Sequence, residues 1–342
     1  MAGLKNLGTV IAIDEEVSIG AGQGGAWVAG DVVSFNDDSG LTPAVTTLER
    51  AVFNGSYVGC QALSGESSTS GNLNVDLALA PISSTEAGKF VGHLVFKSGF
   101  GKYIEQAADV DEVAFTIGIE PDSIASPTGF DLYTLSDPTD AQTTLVVREF
   151  LGGSGDAVLD HKGVVVDSMS FDFSVGSIVK VSNSVSGVNF ATATGQTVLP
   201  SGGCGNALPF VTKNAVLKLD GATLDASNVS MTITNTIVDR KYITGNGTSS
   251  KVVTAKSIEL SYTVDLDATQ MAFYNKMQSN ATGAIFLKLV NSAGDKCCIY
   301  LPKINFGNVT KSNDSGILTV SVTSMAYESS TGDAILVGTK KA

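Results

Sequence analysis

The chain has few charged residues, and few of these are basic. Of its 342 residues, 16% are Asp, Glu, Lys or Arg, well below the roughly 25% of an average soluble domain. Lys and Arg together number 21 against 34 Asp and Glu, which gives a formal net charge of −13. Binding to nucleic acid or to anionic lipid depends mainly on Lys and Arg. The composition therefore excludes a basic nucleic-acid-binding protein and argues against a lipid-binding surface.

Long apolar runs and cysteine clusters are also missing. No segment reaches the roughly 18 consecutive apolar residues that a membrane-spanning helix needs, and the N-terminal region lacks the pattern of a secretory signal. The four cysteines, Cys60, Cys204, Cys297 and Cys298, are too few and too scattered for a disulfide framework or a metal site. We therefore expect synthesis in a reducing cytosol, no membrane association and no metal.

Recognisable catalytic motifs are absent as well. The only histidines are His93 and His161, and no nucleophile elbow or similar signature accompanies either. Residues 20–25 match G-x-G-x-x-G, but a dinucleotide site needs a helix after these glycines, and the following residues look like a strand. We expect no enzyme and no catalytic, metal-binding or cofactor-binding residues.

What the chain does contain is a series of short β-rich runs separated by Gly, Asn, Asp and Ser, which predicts an all-β fold. The run from Ser257 to Leu266 alternates strictly between apolar and polar residues, as a half-buried strand does. Other predicted strands cover 72–79, 163–175 and 317–325. Only residues 81–96 and 267–280 show helical spacing, and we interpret each as a short structural helix.

The chain also repeats one order of parts. An acid-Arg pair, a loop, an alternating strand, a Val-Asp-Leu triplet and a helix occur in the first half, with Val75-Asp76-Leu77, and again in the second, with Val264-Asp265-Leu266. A later strand beginning at Ile178 matches one beginning at Ile317. The intervening distance is about 50 residues longer in the first half, so we place an insertion at about 99–162. Two all-β halves that look alike without duplication remain the alternative.

These observations predict two tandem domains. The Gly-rich residues 191–206 resemble a linker. The first domain then covers 1–200, with the insertion, and the second covers 207–342.

The second half resembles the tail tube (major tail) proteins of long-tailed bacteriophages. The likeness rests on an ordered set of segments: Leu217 to Ala222, Val229 to Asn235, Asp239 to Ile243, Ser257 to Leu266, Phe273 to Met277, Leu301 to Phe306, Val320 to Tyr327 and Thr331 to Ala334. The first half resembles the same family more weakly, through 70–77 and 166–179.

The resemblance implies tail-tube-type β-sandwich or barrel domains, each flanked by a short helix, that assemble into stacked rings. Such rings form a hollow tube through which DNA passes to the host without specific binding. The implied partners are further copies of the chain and the tape measure, tail tip and tail terminator proteins. The implied location is the tail of the virion, assembled in the cytoplasm of the bacterial host. Because family rings contain six tube domains, we favour a trimeric ring with pseudo-sixfold symmetry; a hexamer with the first half as outer decoration is the alternative.

The resemblance also suggests which residues face the lumen. The polar face of the strand ending at Asp265 would line it, and the repeat extends this prediction to the first half. The candidate lumen-facing residues are Asn72, Asn74, Asp76, Glu259, Ser261, Thr263 and Asp265. An ordinary solvated strand face is the alternative interpretation.

Two other classes of protein share parts of this composition. A cell-surface or pilus-like β-sandwich adhesin would show similar Ser- and Thr-rich strands, although we find no secretory signal. A carbohydrate-active β-sandwich enzyme would need paired carboxylates among exposed aromatic residues, and the chain has a single Trp.

Overall fold

The computed structural model describes residues 9–49, 63–80, 89–105, 131–137, 140–199, 207–242, 247–266, 271–314, 316–328 and 334–341. These residues contain two α-helices, α1 (His93–Phe100) and α2 (Ala272–Gln278). Their strands are β1 Val10–Glu15, β2 Val32–Val33, β3 Gly40–Leu48, β4 Leu63–Asn72, β5 Val75–Asp76, β6 Gly101–Ile104, β7 Asp131–Leu135, β8 Leu145–Phe150, β9 Val158–Asp172, β10 Lys180–Gly187, β11 Asn189–Ala193, β12 Val216–Leu219, β13 Ala222–Thr223, β14 Ala226–Tyr242, β15 Gly247–Asp265, β16 Thr282–Val290, β17 Lys296–Asn305, β18 Asn308–Asp314, β19 Ile317–Ala326 and β20 Leu336–Lys340. The predicted all-β class is confirmed.

The strands form three antiparallel runs. The longest, here called the long sheet, has the order β3–β4–β10–β9–β14–β15–β19–β18, with β5 continuing β4 beside β10. A second run has the order β2–β1–β8–β9–β11. A third has the order β13–β12–β16–β17–β20–β7–β6. The long sheet therefore draws four strands from each half of the chain.

A single large apolar cluster holds the three runs together. It includes Ile13 of β1, Phe171 of β9, Tyr262 of β15 and Leu287 of β16, all nearly or completely buried. On β15, Ile258, Leu260, Tyr262 and Val264 are buried, while the residues between them are exposed or half-buried. The alternation predicted for this strand is confirmed, and it fixes which face of the long sheet meets the core.

The two helices match their predicted ranges only in part. The prediction is wrong for 89–92, where Phe90 forms a bridge with Leu79 and Gly92 has a left-handed φ of 76°, so helix α1 begins only at His93. Helix α1 continues past Phe96 and stops at Gly101, whose φ of 93° is left-handed and whose N–H donates to Lys97 O. Glycine adopts this conformation without strain, which makes it a common end for a helix. Helix α2 lies within the predicted range. Residues 81–88 and 267–270 of the two predictions lie outside the described residues.

The predicted insertion holds strands of two kinds. β8 and the start of β9 complete the layer that β1 begins. β6 and β7 instead join the third run, where β7 pairs with β20 near the C-terminus. Part of residues 99–162 thus belongs to the sheet of the second half.

Candidate functional site

The two halves of the chain join edge to edge within the long sheet. The junction pairs β9 of the first half with β14 of the second, from Asp172 opposite Ser230 to Ser168 opposite Thr234. The Phe173 N–H extends the ladder by donating to Val229 O at 2.9 Å. The two strands therefore form one unbroken surface.

The strands on either side of this junction pair in matching registers. In the first half, β10 pairs with β5 and β4 so that Lys180 lies opposite Asp76 and Ser184 opposite Asn72. In the second half, β19 pairs with β15 so that Thr319 lies opposite Asp265 and Thr323 opposite Ser261. When 139 is added to each residue number of β10 and 189 to each residue number of β4 or β5, every first-half pair becomes a pair between β19 and β15.

A backbone hydrogen bond follows the same correspondence. The Leu77 N–H donates to Val179 O at 2.8 Å, and the Leu266 N–H donates to Leu318 O at 2.8 Å. Leu77 and Leu266 are the last residues of the two Val-Asp-Leu triplets. The two triplets therefore have the same strand partners.

Six of the seven candidate lumen residues lie on one face of the long sheet, opposite the core. Glu259, Asp265 and Asn72 are exposed there, while Asp76, Ser261 and Thr263 are half-buried. Thr263 shares a hydrogen bond with its cross-strand neighbour Ser321, with 2.9 Å between the hydroxyl oxygens. We call this surface the polar face.

Asn74 lies elsewhere, because the chain leaves strand geometry between β4 and β5. Its side chain is 8% exposed and lies beneath the turn that contains Asp38. Its Nδ2 donates to Asp38 Oδ2 at 2.8 Å, and its Oδ1 accepts the Asn183 N–H at 3.2 Å. In the single chain Asn74 therefore fastens this turn to the sheet.

The structure adds two charged residues that the sequence analysis missed on the polar face. Lys180 lies between Asp172 and Asp76, which are its direct partners on the two adjacent strands. Uncharged hydroxyls surround them, and Ser170 Oγ and Thr232 Oγ1 lie 3.1 Å apart across the junction. Glu259 and Asp265 of β15 add two further carboxylates to this face. Only the sheet order reveals this arrangement, since the residues come from five separate strands.

The two outer edges of the long sheet differ in their backbone donors. On β3, the Leu41 N–H points away from β4 and donates to the buried carboxylate of Glu149 at 2.8 Å. Pro43, two residues further along, has its nitrogen on the same side but no N–H to donate. The β3 edge therefore lacks available donors at two successive positions.

The β18 edge keeps its donors. The backbone oxygen of Leu318 accepts the Leu266 N–H on the β15 side. The backbone groups of Thr319, the next residue of β19, therefore point the other way, toward Ser312 of β18. Because backbone groups alternate between the two sides of a strand, the N–H groups of Val309 and Lys311 point to the outer edge. No described strand pairs with that edge.

Comparison with known proteins identifies the family. The family model described as phage tail tube protein matches residues 7–335, nearly the whole chain. The chain belongs to the phage tail tube protein family. No curated protein matches the sequence.

Membership of the tail tube family makes the chain a structural protein of the virion tail that assembles into a tube with other tail proteins. The family is not a class of enzymes. No helix among the described residues is long and apolar enough to cross a membrane, and the same residues contain no group of three His, Cys, Asp or Glu arranged to hold a metal ion.

Both histidines of this tail tube protein pack inside the fold. His93 Nδ1 lies 2.8 Å from the Tyr133 hydroxyl. Burial lowers the pKa of His93 to about 3, and repulsion from Lys89 and Lys97 acts in the same direction. His161 is fully buried and neighbours Thr69 and Glu149. Both side chains thus take part in interior contacts.

Proposed function

We propose that the chain is the repeating subunit of a phage tail tube, in which rings stack into a hollow conduit for DNA. The observation that carries the proposal is the junction between β9 and β14. It joins the two halves of one chain edge to edge, as neighbouring subunits of a ring would be joined.

The first part of the proposal is that the chain holds two tandem tube domains, at 1–200 and 207–342. The matching registers around the Asp76 and Asp265 pairs support it, because unrelated β domains have no reason to share them. By this correspondence β3 is the counterpart of β14, and β9 is the counterpart of β18. The β9–β14 junction is therefore a template for contact between β18 of one copy and β3 of the next.

The second part is a trimeric ring with pseudo-sixfold symmetry. Both halves contribute four strands to the same sheet, which favours the trimer over a hexamer with the first half outside. Three copies give 24 strands, and at about 4.8 Å per strand the backbone circle is about 37 Å across before strand tilt widens it. About 5 Å of side chain on each side leaves roughly 27 Å, enough for a DNA double helix.

The third part is that the polar face lines the lumen. The opposite face is covered by the core, so this face is the one left to meet DNA. Asp76, Asp172, Glu259 and Asp265 outnumber Lys180 there, and an acidic wall repels a phosphate polymer instead of holding it. Asn72, Ser261 and Thr263 supply an uncharged hydrophilic lining. Asn74 would lie under its turn at the margin of this wall.

The remaining parts follow from the family. The tube would contact tape measure, tail tip and tail terminator proteins, and assembly would occur in the cytoplasm of the bacterial host. The part of residues 99–162 that lies away from the polar face would project outward or touch the adjacent ring.

Electron microscopy tests the proposal directly. Purified protein is stained at increasing concentration, end-on views are averaged, and native mass spectrometry counts the chains in each ring. Rings with six lobes and three chains are expected. A protein that remains monomeric both alone and with the phage's tail initiation complex would refute the tube function, and six chains per ring would refute the trimer.

A further inference from the structure

The segment that leads into the second half fills a slot in the first half. The Phe210 N–H donates to Leu77 O at 2.8 Å, and Phe210 O accepts the Val179 N–H at 3.0 Å. Val211, the next residue, forms a bridge with Ile178. Phe210 and Val179 are both fully buried, so the segment completes the end of the first-half sandwich.

The corresponding slot in the second half has no such occupant among the described residues. Leu318 corresponds to Val179 in strand register, yet it is 43% exposed. Ile317 beside it is 57% exposed. The groups that would receive a strand, around Leu266 and Leu318, stand in the same register as their first-half counterparts. The second half thus displays an apolar slot with strand-pairing geometry.

The order of elements indicates which segment fits this slot. Phe210 precedes β12, which pairs with β16 and contributes Leu217 and Leu219 to the core. In the first half β1 has this role, pairing with β8 and contributing Ile11 and Ile13 to the same cluster. The counterpart of the Phe210 segment is therefore residues 1–8, the segment before β1.

The spacing of apolar residues agrees. Phe210 stands six residues before Val216, the first residue of β12, and Leu4 stands six residues before Val10, the first residue of β1. Within one chain, the segment before the second half fills the slot of the first half. In a ring, the second half of one copy is followed by the first half of the next copy. The segment before that first half would therefore fill the slot of the second half.

We propose that residues 1–8 of the next copy in the ring occupy the slot at Ile317 and Leu318, with Leu4 in the place that Phe210 takes in the first half. This inference rests on the proposed ring. Burying Leu4 against Leu318 removes apolar surface from water, and the backbone pairing adds hydrogen bonds. Each copy thereby adds its residues 1–8 as a strand to the second half of the neighbouring copy.

An engineered disulfide tests the contact. Lys5→Cys and Ile317→Cys are combined, with Cys60 and Cys204 replaced by Ser, because the pair corresponds to Val211 opposite Ile178. That position is a non-hydrogen-bonded pair of an antiparallel ladder, where side chains come close enough for a disulfide. Oxidised tubes should give covalent trimers on a non-reducing gel.

The matched control combines Lys5→Cys with Ile178→Cys, because Ile178 lies in the slot that the chain's own segment already fills. This pair should give no covalent multimers. Tubes that form normally but show no cross-link between Lys5→Cys and Ile317→Cys, or one confined to single chains, would overturn the inference and leave the tube function intact. Failure of the unmodified protein to form rings would overturn both.

A second variant measures what the contact contributes. Leu4→Asp should raise the protein concentration needed for assembly at least tenfold and leave the melting temperature of the monomer unchanged. Phe210→Ala, which empties the filled slot, should instead lower the melting temperature of the monomer. Unchanged assembly of Leu4→Asp would contradict the proposal.

Discussion

Replacing Lys311 by Pro should weaken the proposed ring contact and spare the fold of the single chain. The Lys311 N–H points to the outer edge of β18, where no described strand bonds it, while the adjacent Ser312 pairs with Thr319 of β19. Proline on an edge strand with its nitrogen facing outward removes no bond from the chain's own sheet. It does remove a donor from the edge that would meet β3 of the next copy.

The expected magnitude follows from the lost bond. One hydrogen bond contributes about 1 kcal/mol net, and the proline ring adds a steric obstacle to the approaching strand. A loss of about 1 to 1.5 kcal/mol weakens each contact roughly fivefold to tenfold. A trimeric ring has three such contacts, so its formation constant should fall by about two to three orders of magnitude.

The assay is the protein concentration at which light scattering and electron microscopy first detect rings or tubes. Lys311→Ala controls for the lost ammonium group and should assemble nearly as the wild type does. Ser312→Pro controls for proline itself: it breaks a β18–β19 bond and should lower the melting temperature of the monomer. If Lys311→Pro assembles at the wild-type concentration with an unchanged melting temperature, then β18 is not the contact edge.

Three further predictions address the other edge, the sheet interior and the lumen. Pro43→Thr restores an N–H to the β3 edge, so scattering should begin at a lower protein concentration; an unchanged onset would show that this edge does not pair. Burial lowers the pKa of Lys256 from 10.5 to about 8, so the folded state loses this proton first and the unfolding free energy should rise between pH 8 and 10.5. Denaturant titrations of Lys256→Met across that range should show a flatter slope than wild type, and an equal slope would contradict the assignment. Tubes of the Glu259→Lys, Asp265→Lys double variant should retain DNA in co-sedimentation at low salt and release it at high salt, whereas no retention would place these side chains outside the lumen.

Sequence alone predicted the features that depend on local periodicity. The alternation along β15 is visible because each apolar residue, such as Tyr262, stands two positions from the next. Both Val-Asp-Leu triplets are also local, and the structure gives Asp76 and Asp265 matching strand partners. The same reasoning fails at Asn74, since its alternating run is interrupted between β4 and β5.

Features that depend on pairing between distant strands could not be predicted. The pairing of Asp172 with Lys180 on one side and Ser230 on the other joins three strands from two halves of the chain, and no periodicity encodes which edges meet. The end of α1 was missed for a different reason. Phe96 appeared to close the apolar stripe, but the stopping signal is the left-handed Gly101, which costs a glycine no strain.

The different edges of the long sheet indicate what the proposed duplication of the tube domain would provide. In a chain with one tube domain, both edge strands of the sheet stay unpaired until assembly, and unpaired edge strands can pair with the wrong chains. In the proposed ring, one of two junctions, β9 with β14, is already closed inside each subunit. Only the β3 and β18 edges of the long sheet then remain unpaired. On β3 the Leu41 N–H is already bonded to the Glu149 carboxylate and Pro43 has no N–H, so two backbone donors are missing. In that ring, a chain with donors on β18 but few on β3 would be protected from pairing with the wrong copy, and ring closure would require the additional contacts that a correctly placed neighbour provides.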